Sequence, residues 1–353
     1  MTKIDELCIN TIRLLSADAV QKANSGHPGM PMGAAAMAFS LWTNEMNYDP
    51  SDPDWPGRDR FILSAGHGSM LLYSMLYLTG SELTLDDIKN FRQLDSKTPG
   101  HPESHLTKAV ETTTGPLGQG FANGVGFAIA QKYLSAKYDR PGFNIFDYNI
   151  YAIVSDGDLM EGISSEAASL AGHLKLGNMI YLYDDNHISI EGNTEIAFTE
   201  DTAKRFEAFG WQVIEVSDGN DPDKISEAVK KAKQEKDKPS LIKIRTHIGF
   251  GSPNKADSAG SHGSPLGEDE LRLTKENLGF DPDKSFYVPD EVLKFFRDKG
   301  ENGKKKKDEW EKLYSEYSGK FPDESKEIDR LMKGEFIEGW EKAFPVFTTD
   351  EGK

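Results

Sequence analysis

The hydrophobic and polar positions of this chain form two kinds of segment that alternate along it. Short apolar runs bounded by polar residues are typical of buried strands, and longer stretches with apolar residues three or four positions apart are typical of helices. The predicted strands are Arg60–Ser64, Ile150–Val154, Met179–Tyr183, Trp211–Val216 and Ser240–Arg245. The predicted helices are Ile4–Asn24, Met30–Trp42, Met70–Leu78, Thr84–Asn90, a long one ending near Tyr138, Asp201–Phe209 and Asp221–Lys236. This alternation predicts an α/β fold with a doubly wound, mainly parallel sheet and helices on both faces.

The sequence from Glu268 onwards is highly charged, and its pattern remains helical. Helices are predicted over Glu270–Leu278, Glu291–Lys299, Asp308–Tyr317 and Lys326–Lys333. We interpret the four consecutive lysines Lys304–Lys307 as a solvated loop, and the stretch 336–353, which has no clear period, as a linker. We therefore expect one large domain over residues 1–320, followed by a helix and linker over residues 321–353.

The polar ends of two neighbouring predicted strands suggest a metal site. Asp156 follows the second strand and Asn186 follows the third, with one helix between them. A parallel βαβ unit brings both strand ends to the same edge of a sheet. Carboxylate and amide oxygens suit a magnesium-sized cation, which takes phosphate oxygens or waters as further ligands. Gly157 lets a phosphate approach the backbone, and the helix that follows offers its N–H groups to the same anion.

Two other interpretations of these acidic residues remain open at this point. Asp156 and Asp158 are compatible with solvated loop acids at a strand end, which any α/β protein has. They are also compatible with an Asp-x-Asp phosphatase, in which Asp156 would be the nucleophile. Such phosphatases usually have Thr or Val where Met160 stands, which weighs against that interpretation.

Composition and charge narrow the possible partners and compartments. The chain has 353 residues, a formal net charge of −17 and one cysteine, Cys8. This charge argues against nucleic acid or an anionic membrane as a partner, and a single cysteine rules out an internal disulfide and suits a reducing compartment. No apolar run approaches the ~20 residues that span a bilayer, and the N-terminus lacks a signal-peptide pattern. We therefore expect a cytoplasmic protein.

Four histidines lie in loops rich in glycine, proline and serine. They are His27, His67, His101 and His262, and the last belongs to a long polar loop, Thr246–Gly267. Small neighbours let such a loop approach a ligand and present its imidazole, although each histidine taken alone is also compatible with an exposed turn. A further glycine-rich stretch, Thr113–Gly120, opens a helix and is compatible with close packing alone.

Together these motifs resemble a known family. Ser155-Asp156-Gly157 followed by Asp185-Asn186 resembles the thiamine diphosphate signature, Gly-Asp-Gly followed further on by Asn-Asn. Ser155 and Asp185 depart from that signature, but neither position is a metal ligand in the family. The loops Ser-Gly-His-Pro-Gly, Gly-His-Gly and Gly-Pro-Leu-Gly, with a His-Gly-Ser-Pro-Leu-Gly resembling the family's His-Gly-Ala-Pro-Leu-Gly, occur in transketolase order. The resemblance covers roughly residues 4–350.

The resemblance implies a role for each of these residues. Asp156, Asn186 and the carbonyl oxygen of Ile188 would bind Mg²⁺ or Ca²⁺. The residues implied in binding thiamine diphosphate are His67, Gly115, Pro116, Leu117, Asp156, Gly157, Asn186, Ile190 and His262. The implied catalytic residues are His27, His101, His262 and Glu161, the last in a carboxylate network that links two active sites.

The resemblance also implies a reaction and a missing partner. Transketolases transfer a two-carbon ketol unit from xylulose 5-phosphate to ribose 5-phosphate or erythrose 4-phosphate in the pentose phosphate pathway. They are about twice as long as this chain, and a second domain binds the pyrimidine ring of the cofactor. We therefore expect half an active site, inactive without a C-terminal half from the same gene or a separate subunit, in a homodimer or heteromer. The alternative is a non-catalytic module that binds cofactor or assembles with partners.

Overall fold

A parallel sheet forms the centre of the molecule, whose computed structural model describes residues 1–347. Its strands are β1 (Arg60–Leu63), β2 (Ile150–Ser155), β3 (Met179–Asp185), β6 (Gln212–Val216) and β7 (Ser240–Arg245). They are all parallel, in the order β1-β2-β3-β7-β6. The predicted α/β fold is thus confirmed. Just after β3, the chain forms a small antiparallel hairpin, β4 (Ile188–Ser189) and β5 (Gly192–Asn193).

Helices cover both faces of this sheet. They are α1 (Lys3–Ala23), α2 (Gly29–Gly33), α3 (Ala35–Ser40), α4 (Ser69–Thr79), α5 (Leu85–Lys89), α6 (Gln119–Tyr138), α7 (Asp156–Met160), α8 (Gly162–His173), α9 (Thr202–Ala208), α10 (Pro222–Gln234), α11 (Glu268–Asn277), α12 (Asp290–Lys320) and α13 (Pro322–Met332). The N-terminus of α1 is fixed by a capping box, in which Thr2 and Asp5 each bind the other's backbone N–H. Such reciprocal bonds satisfy donors that a helix start leaves free.

The two large core clusters are separated by the sheet, and alternate side chains of each central strand enter one or the other. In β2, Tyr151 and Ile153 pack with α1, α4 and α10, whereas Ala152 and Val154 pack with α6, α8 and α9. Successive strand residues point to opposite faces, so a strand that is apolar at every position must be covered on both sides. The doubly wound arrangement follows directly from these continuous apolar runs.

The C-terminal helices differ from the prediction. The predicted helices Glu291–Lys299 and Asp308–Tyr317 are parts of one helix, α12, and the lysine run Lys304–Lys307 lies inside it. The loop interpretation of the lysine run was therefore wrong. Gly300 and Gly303 permit the continuous helix, because a Cβ at either position would lie against a backbone carbonyl of a neighbouring segment.

The segment Met30–Trp42 also differs, since it is broken rather than one helix. It comprises α2, α3 and a π-helical turn, Leu41–Glu45, with the break at Ala34. Between residue 333 and residue 347 the chain has one short 3₁₀ turn, Trp340–Ala343, and exposed aromatic side chains, in keeping with a linker. The end of the predicted linker, residues 348–353, lies outside the described residues. The division at residue 320 stays a prediction, although α12 ends there.

Within residues 1–347, no helix is both long enough and apolar enough to cross a bilayer.

Candidate functional site

A cavity of about 320 Å³ lies at the carboxyl ends of β2 and β3, where an open parallel sheet usually binds its ligand. Most of the side chains predicted from the sequence converge on it. The predicted site residues that line it are His27, His67, His101, Gly115, Leu117, Asp156, Gly157, Asn186, Ile188, Ile190 and His262. Strand ends and loops that are far apart in the sequence therefore form one site.

Asp156 is held in place by donors from β3 and from the turn that follows it. The hydroxyl of Tyr183 donates to Asp156 Oδ1 at 2.6 Å, and the backbone N–H of His187 donates to Oδ2 at 3.3 Å. Burial raises the pKa of the Asp156 carboxyl to about 6, although the Tyr183 hydrogen bond opposes that shift. A nearby cation would favour the charged form of this acid.

The side chain of Asn186 is oriented by its own turn. Its Nδ2 donates to Asp184 Oδ2 at 3.0 Å, and its Oδ1 accepts from the N–H of Ile188 at 2.9 Å. Asn186 is buried and lines the same cavity as Asp156. The predicted convergence of the ends of β2 and β3 is thus present, because Ser155 and Asp184 are direct partners in the sheet.

Asp158, the second acid of the Asp-Gly-Asp motif, does not line the cavity. Its Oδ1 accepts from Ser64 Oγ and from the N–H of Gly118, both at 2.8 Å, and its Oδ2 accepts from the N–H of Ser155 at 2.9 Å. The side chain is completely buried. Asp158 therefore joins the end of β1, the glycine-rich loop and the end of β2. A buried carboxylate satisfied in this way has no free oxygen to act as the second acid of a phosphatase.

Three imidazoles that line this cavity pack against each other. The ring centroids of His27 and His67 are 5.2 Å apart, those of His67 and His262 are 5.3 Å apart, and those of His27 and His262 are 5.7 Å apart. Burial lowers the pKa of all three rings, in the case of His27 to about 4. Neutral imidazoles can both donate and accept hydrogen bonds. The Nδ1 atoms of His27 and His262 are buried and have no hydrogen-bond partner within residues 1–347.

His101 and the glycine-rich loop close another side of the cavity. Burial is the main cause of the lowered pKa of His101, and the Arg92 cation adds to it. Gly115 has a φ of +145°, and a Cβ there would lie 3.0 Å from the His101 ring. Glycine is thus required at this position both by its backbone conformation and by the approach of the imidazole.

Two predicted site residues lie outside the cavity wall. Pro116 and Glu161 are exposed and do not line the cavity, although the adjacent Gly115 and Leu117 do. Ile190 lines it but remains 63% exposed, at the tip of the β4–β5 hairpin. The predicted roles of these residues stay predictions.

Several residues of the cavity wall, and the role of Asp158, were not predicted from the sequence. Met30, Met160, Ser189 and Ile248 also line the cavity. None of these four residues belongs to a recognisable catalytic or binding motif, so their position in the cavity became evident only from the fold. Asp158 did carry a signal, because Ser155 and Asp158 form a capping box at the start of α7, and Ser followed three residues later by an acid is the pattern of that motif.

The hydrogen-bond donors and oxygen ligands that line this cavity suit a diphosphate cofactor with a divalent cation. The unpartnered ring nitrogens offer hydrogen bonds, Gly115 and Gly157 allow close approach, and Asp156 and Asn186 supply oxygen ligands. Within residues 1–347, no three His, Cys, Asp or Glu side chains are grouped as a metal site. A cation here would therefore complete its coordination with backbone, phosphate or water oxygens.

Comparisons with known proteins consistently find one family. The sequence model of the family "Transketolase, thiamine diphosphate binding domain" matches residues 4–337. Transketolase from Nostoc sp. is 55% identical over 350 residues, which is 99% of this chain and 52% of that protein. Transketolase from Bacillus subtilis is 52% identical over 98% of this chain and 52% of its own length. The chain spans about half the length of the curated relatives it matches.

Solved structures give the same result for the fold. The crystal structure of transketolase from Pichia stipitis in complex with sedoheptulose 7-phosphate has a TM-score of 0.96 and 48% identity, covering 98% of this chain and 51% of that one. Transketolase from Leishmania mexicana has a TM-score of 0.95 and 46% identity, covering 99% of this chain and 52% of that one.

Proposed function

The chain belongs to the transketolase family through its thiamine diphosphate-binding domain, and on that premise we propose that it forms the cofactor-diphosphate half of a transketolase active site. The observation that carries this proposal is a single cavity lined both by three packed imidazoles and by Asp156 and Asn186. The cofactor, when bound, supplies the nucleophilic carbon that carries the two-carbon unit.

Asp156, Asn186 and the carbonyl oxygen of Ile188 would hold Mg²⁺ or Ca²⁺ on the diphosphate. The support is the chemistry of the donors, since these are hard oxygen ligands of the kind both cations prefer. Tyr183 and the N–H of His187 orient the Asp156 carboxylate, and Asp184 orients the Asn186 amide. Such outer hydrogen bonds fix a ligand's direction and tune its affinity for a metal.

The histidines would act on the diphosphate and on the sugar. His67 and the Gly157 N–H would donate to phosphate oxygens. His27, His101 and His262 would surround the reacting hydroxyl and carbonyl oxygens of the sugar, where hydrogen bonds and proton transfer matter most. Their lowered pKa values support this role, because a neutral ring can accept a proton from one oxygen and later return it to another.

The substrates and the partner follow from the family. We propose xylulose 5-phosphate as the ketose donor and ribose 5-phosphate or erythrose 4-phosphate as the acceptor. The chain covers about half of its relatives, so the pyrimidine-binding half would come from a longer form of the same protein or from a second subunit. Glu161 would lie towards that partner and join a carboxylate network between two active sites; its exposure leaves it available for such a contact.

A reconstitution assay tests this function. The chain is mixed with the C-terminal half of Bacillus subtilis transketolase, and their assembly is verified by sedimentation. Turnover of xylulose 5-phosphate with ribose 5-phosphate is then measured with thiamine diphosphate and Mg²⁺. We expect no turnover by the chain alone and clear turnover by the assembled mixture. An Asp156→Ala chain should fail in the mixture, whereas Asp218→Ala, an exposed acid after β6, should not.

Two results would contradict the proposal. An assembled mixture that binds thiamine diphosphate but does not turn over would favour the non-catalytic module. Magnesium-dependent release of inorganic phosphate by the chain alone would favour the phosphatase.

A further inference from the structure

A second cavity, which shares no wall residue with the imidazole cavity, surrounds Arg13. It has a volume of about 380 Å³ and lies where the loops that follow β6 and β7 meet α1. Asn220 comes from the first of these loops and Phe250 from the second. The same loop contributes to both cavities, because Ile248, two residues before Phe250, lines the imidazole cavity.

Arg13 is unusual among the cations of this protein. Only two cationic side chains, Arg13 and Lys275, are buried within residues 1–347. Lys275 pairs with the buried carboxylate of Asp18 at 2.7 Å. Arg13 has no carboxylate within 4.0 Å in the same described range, and Glu6 is the one acid that influences its charge from farther away. A buried charge without a partner of opposite sign carries a large desolvation cost.

The hydrogen bonds of the Arg13 guanidinium leave part of it unused. Nε donates to the carbonyl of Met32 at 2.9 Å, Nη1 to Asn10 Oδ1 at 2.7 Å, and Nη2 to Asn220 Oδ1 at 2.6 Å. A guanidinium has five N–H groups, so one remains on each terminal nitrogen. Two such donors match the two oxygens of a carboxylate, which is the usual partner of an arginine fork.

The rest of the wall indicates the body of the ligand. Ile9, Phe250 and Leu278 provide apolar surface, and the ring centroid of Phe250 lies 4.1 Å from Arg13 Cζ. Met1, Asn10 and Asn277 also line the cavity. Glu6 also lines the cavity and is exposed. This carboxylate and the overall charge of −17 disfavour a multiply charged anion such as phosphate. A monocarboxylate with a small apolar body suits both the cation and the apolar surface.

We propose that the Arg13 cavity is a binding site for small monocarboxylates with an apolar body, separate from the cofactor site. The carboxylate of the ligand would pair with the Arg13 guanidinium, which has no carboxylate partner within residues 1–347. The apolar body of the ligand would occupy the space beside Phe250. This inference goes beyond the proposed function and does not depend on it, since no residue of the transferase site takes part.

The test is a ¹⁹F NMR titration of the 353-residue chain with 4-fluorobenzoate at constant ionic strength. The neutral probe 4-fluorobenzamide has nearly the same shape and serves as the matched ligand control. We expect saturable binding of the carboxylate at one site, and binding of the amide at least about tenfold weaker, as for loss of a charged hydrogen bond.

Variants that retain the fold assign the binding to Arg13. Asn220→Asp places a carboxylate against Nη2, so it should raise the melting temperature and weaken 4-fluorobenzoate binding at least about tenfold. Glu6→Gln removes the acid from the rim and should tighten binding roughly two- to fivefold. Arg297→Met is the control, because Arg297 donates to the carbonyl oxygen of Tyr77 on another part of the molecule. It should leave the affinity for 4-fluorobenzoate unchanged. Absence of saturable binding, equal binding of the two probes, or unchanged affinity in Asn220→Asp would overturn the proposal.

Discussion

Asp158 Oδ1 accepts a hydrogen bond from Ser64 Oγ at 2.8 Å, although the two residues are 94 positions apart in the sequence. The same carboxylate binds the backbone N–H groups of Gly118 and Ser155. It therefore fixes the distance between the loop before α6 and the ends of β1 and β2. The shape of the imidazole cavity therefore depends on Asp158, although Asp158 does not line that cavity.

Asp158→Asn should destabilise the protein without changing the shape of the side chain. The new amide NH₂ would replace one carboxylate oxygen and so lie against the backbone N–H of either Gly118 or Ser155, which is fixed in position. Two donors would then meet, and an unsatisfied buried donor costs about 1–3 kcal/mol. We expect the free energy of unfolding, measured with urea, to fall by about 2–4 kcal/mol. The exposed control Asp147→Asn should stay within about 0.5 kcal/mol. Equal effects of both variants would argue against this role of Asp158.

Tyr183→Phe should weaken cofactor binding without touching the cofactor site itself. The variant removes the 2.6 Å donor to Asp156 Oδ1, and a hydrogen bond to a charged group is worth about 1.5–3 kcal/mol. We expect Mg²⁺-dependent thiamine diphosphate affinity, measured by calorimetry, to fall at least roughly tenfold.

The neighbouring Tyr181→Phe is a matched control for this effect. Its hydroxyl is equally buried on β3 but donates to the carbonyl of Phe121, away from the cavity. This variant should cost about 1 kcal/mol of stability and leave the cofactor affinity unchanged. If both variants lose affinity equally, the Tyr183 hydrogen bond has no specific role at Asp156.

Acid should destabilise the fold through the imidazole cluster. Burial lowers the pKa of His27 from 6.5 to about 4, so the unfolded chain binds more protons between these values, and stability falls as the pH falls from 7 towards 4. His27→Asn removes one such group. Between pH 7 and pH 5 its free energy of unfolding should decrease by about 1–2 kcal/mol less than that of the unmodified chain, the lower figure allowing for the partial exposure of His27. A pH dependence identical to that of the unmodified chain would contradict a neutral, buried His27.

Replacing either of two glycines in α12 by alanine should change the stability of the protein, but in opposite directions. A Cβ at Gly303 would lie 1.7 Å from the carbonyl oxygen of Tyr48, whereas one at Gly319 would meet nothing within 4 Å. Gly303→Ala should cost at least about 2 kcal/mol through overpacking. Gly319→Ala should add about 0.5–1 kcal/mol, the usual gain of alanine over glycine in a helix. Thermal unfolding of both variants tests whether α12 is continuous, since a loop at Gly303 would tolerate the substitution.

Gly300 and Gly303 explain why the sequence did not predict this helix. These glycines lower helix propensity, and the like-charged run Lys304–Lys307 that follows them has no apolar position to indicate a helix face. In the structure, the glycines allow close contact with neighbouring carbonyls, and Lys307 pairs with Asp52 at 2.7 Å. Tertiary packing thus outweighs local preference in this segment.

The sheet and the convergence of its strand ends were predictable for a physical reason. Strands β2 and β3 are apolar at almost every position, which requires cover on both faces and therefore a parallel α/β sheet. A parallel sheet in turn places Asp156 and Asn186 at one edge. By contrast, Met30 and Ile248 reach the cavity only through the paths of their loops, and no local pattern encodes such a path.

The most direct test of the metal assignment is a calorimetric titration of the chain with thiamine diphosphate, in Mg²⁺ and in a chelator. If Asp156 and Asn186 hold the cation on the diphosphate, then binding requires Mg²⁺, and Asp156→Ala and Asn186→Ala each lower the affinity at least roughly tenfold. Asp218→Ala, at the end of β6 but outside the cavity, leaves the affinity unchanged. Binding that is equally tight without the cation, or in the Asp156→Ala chain, would contradict the account.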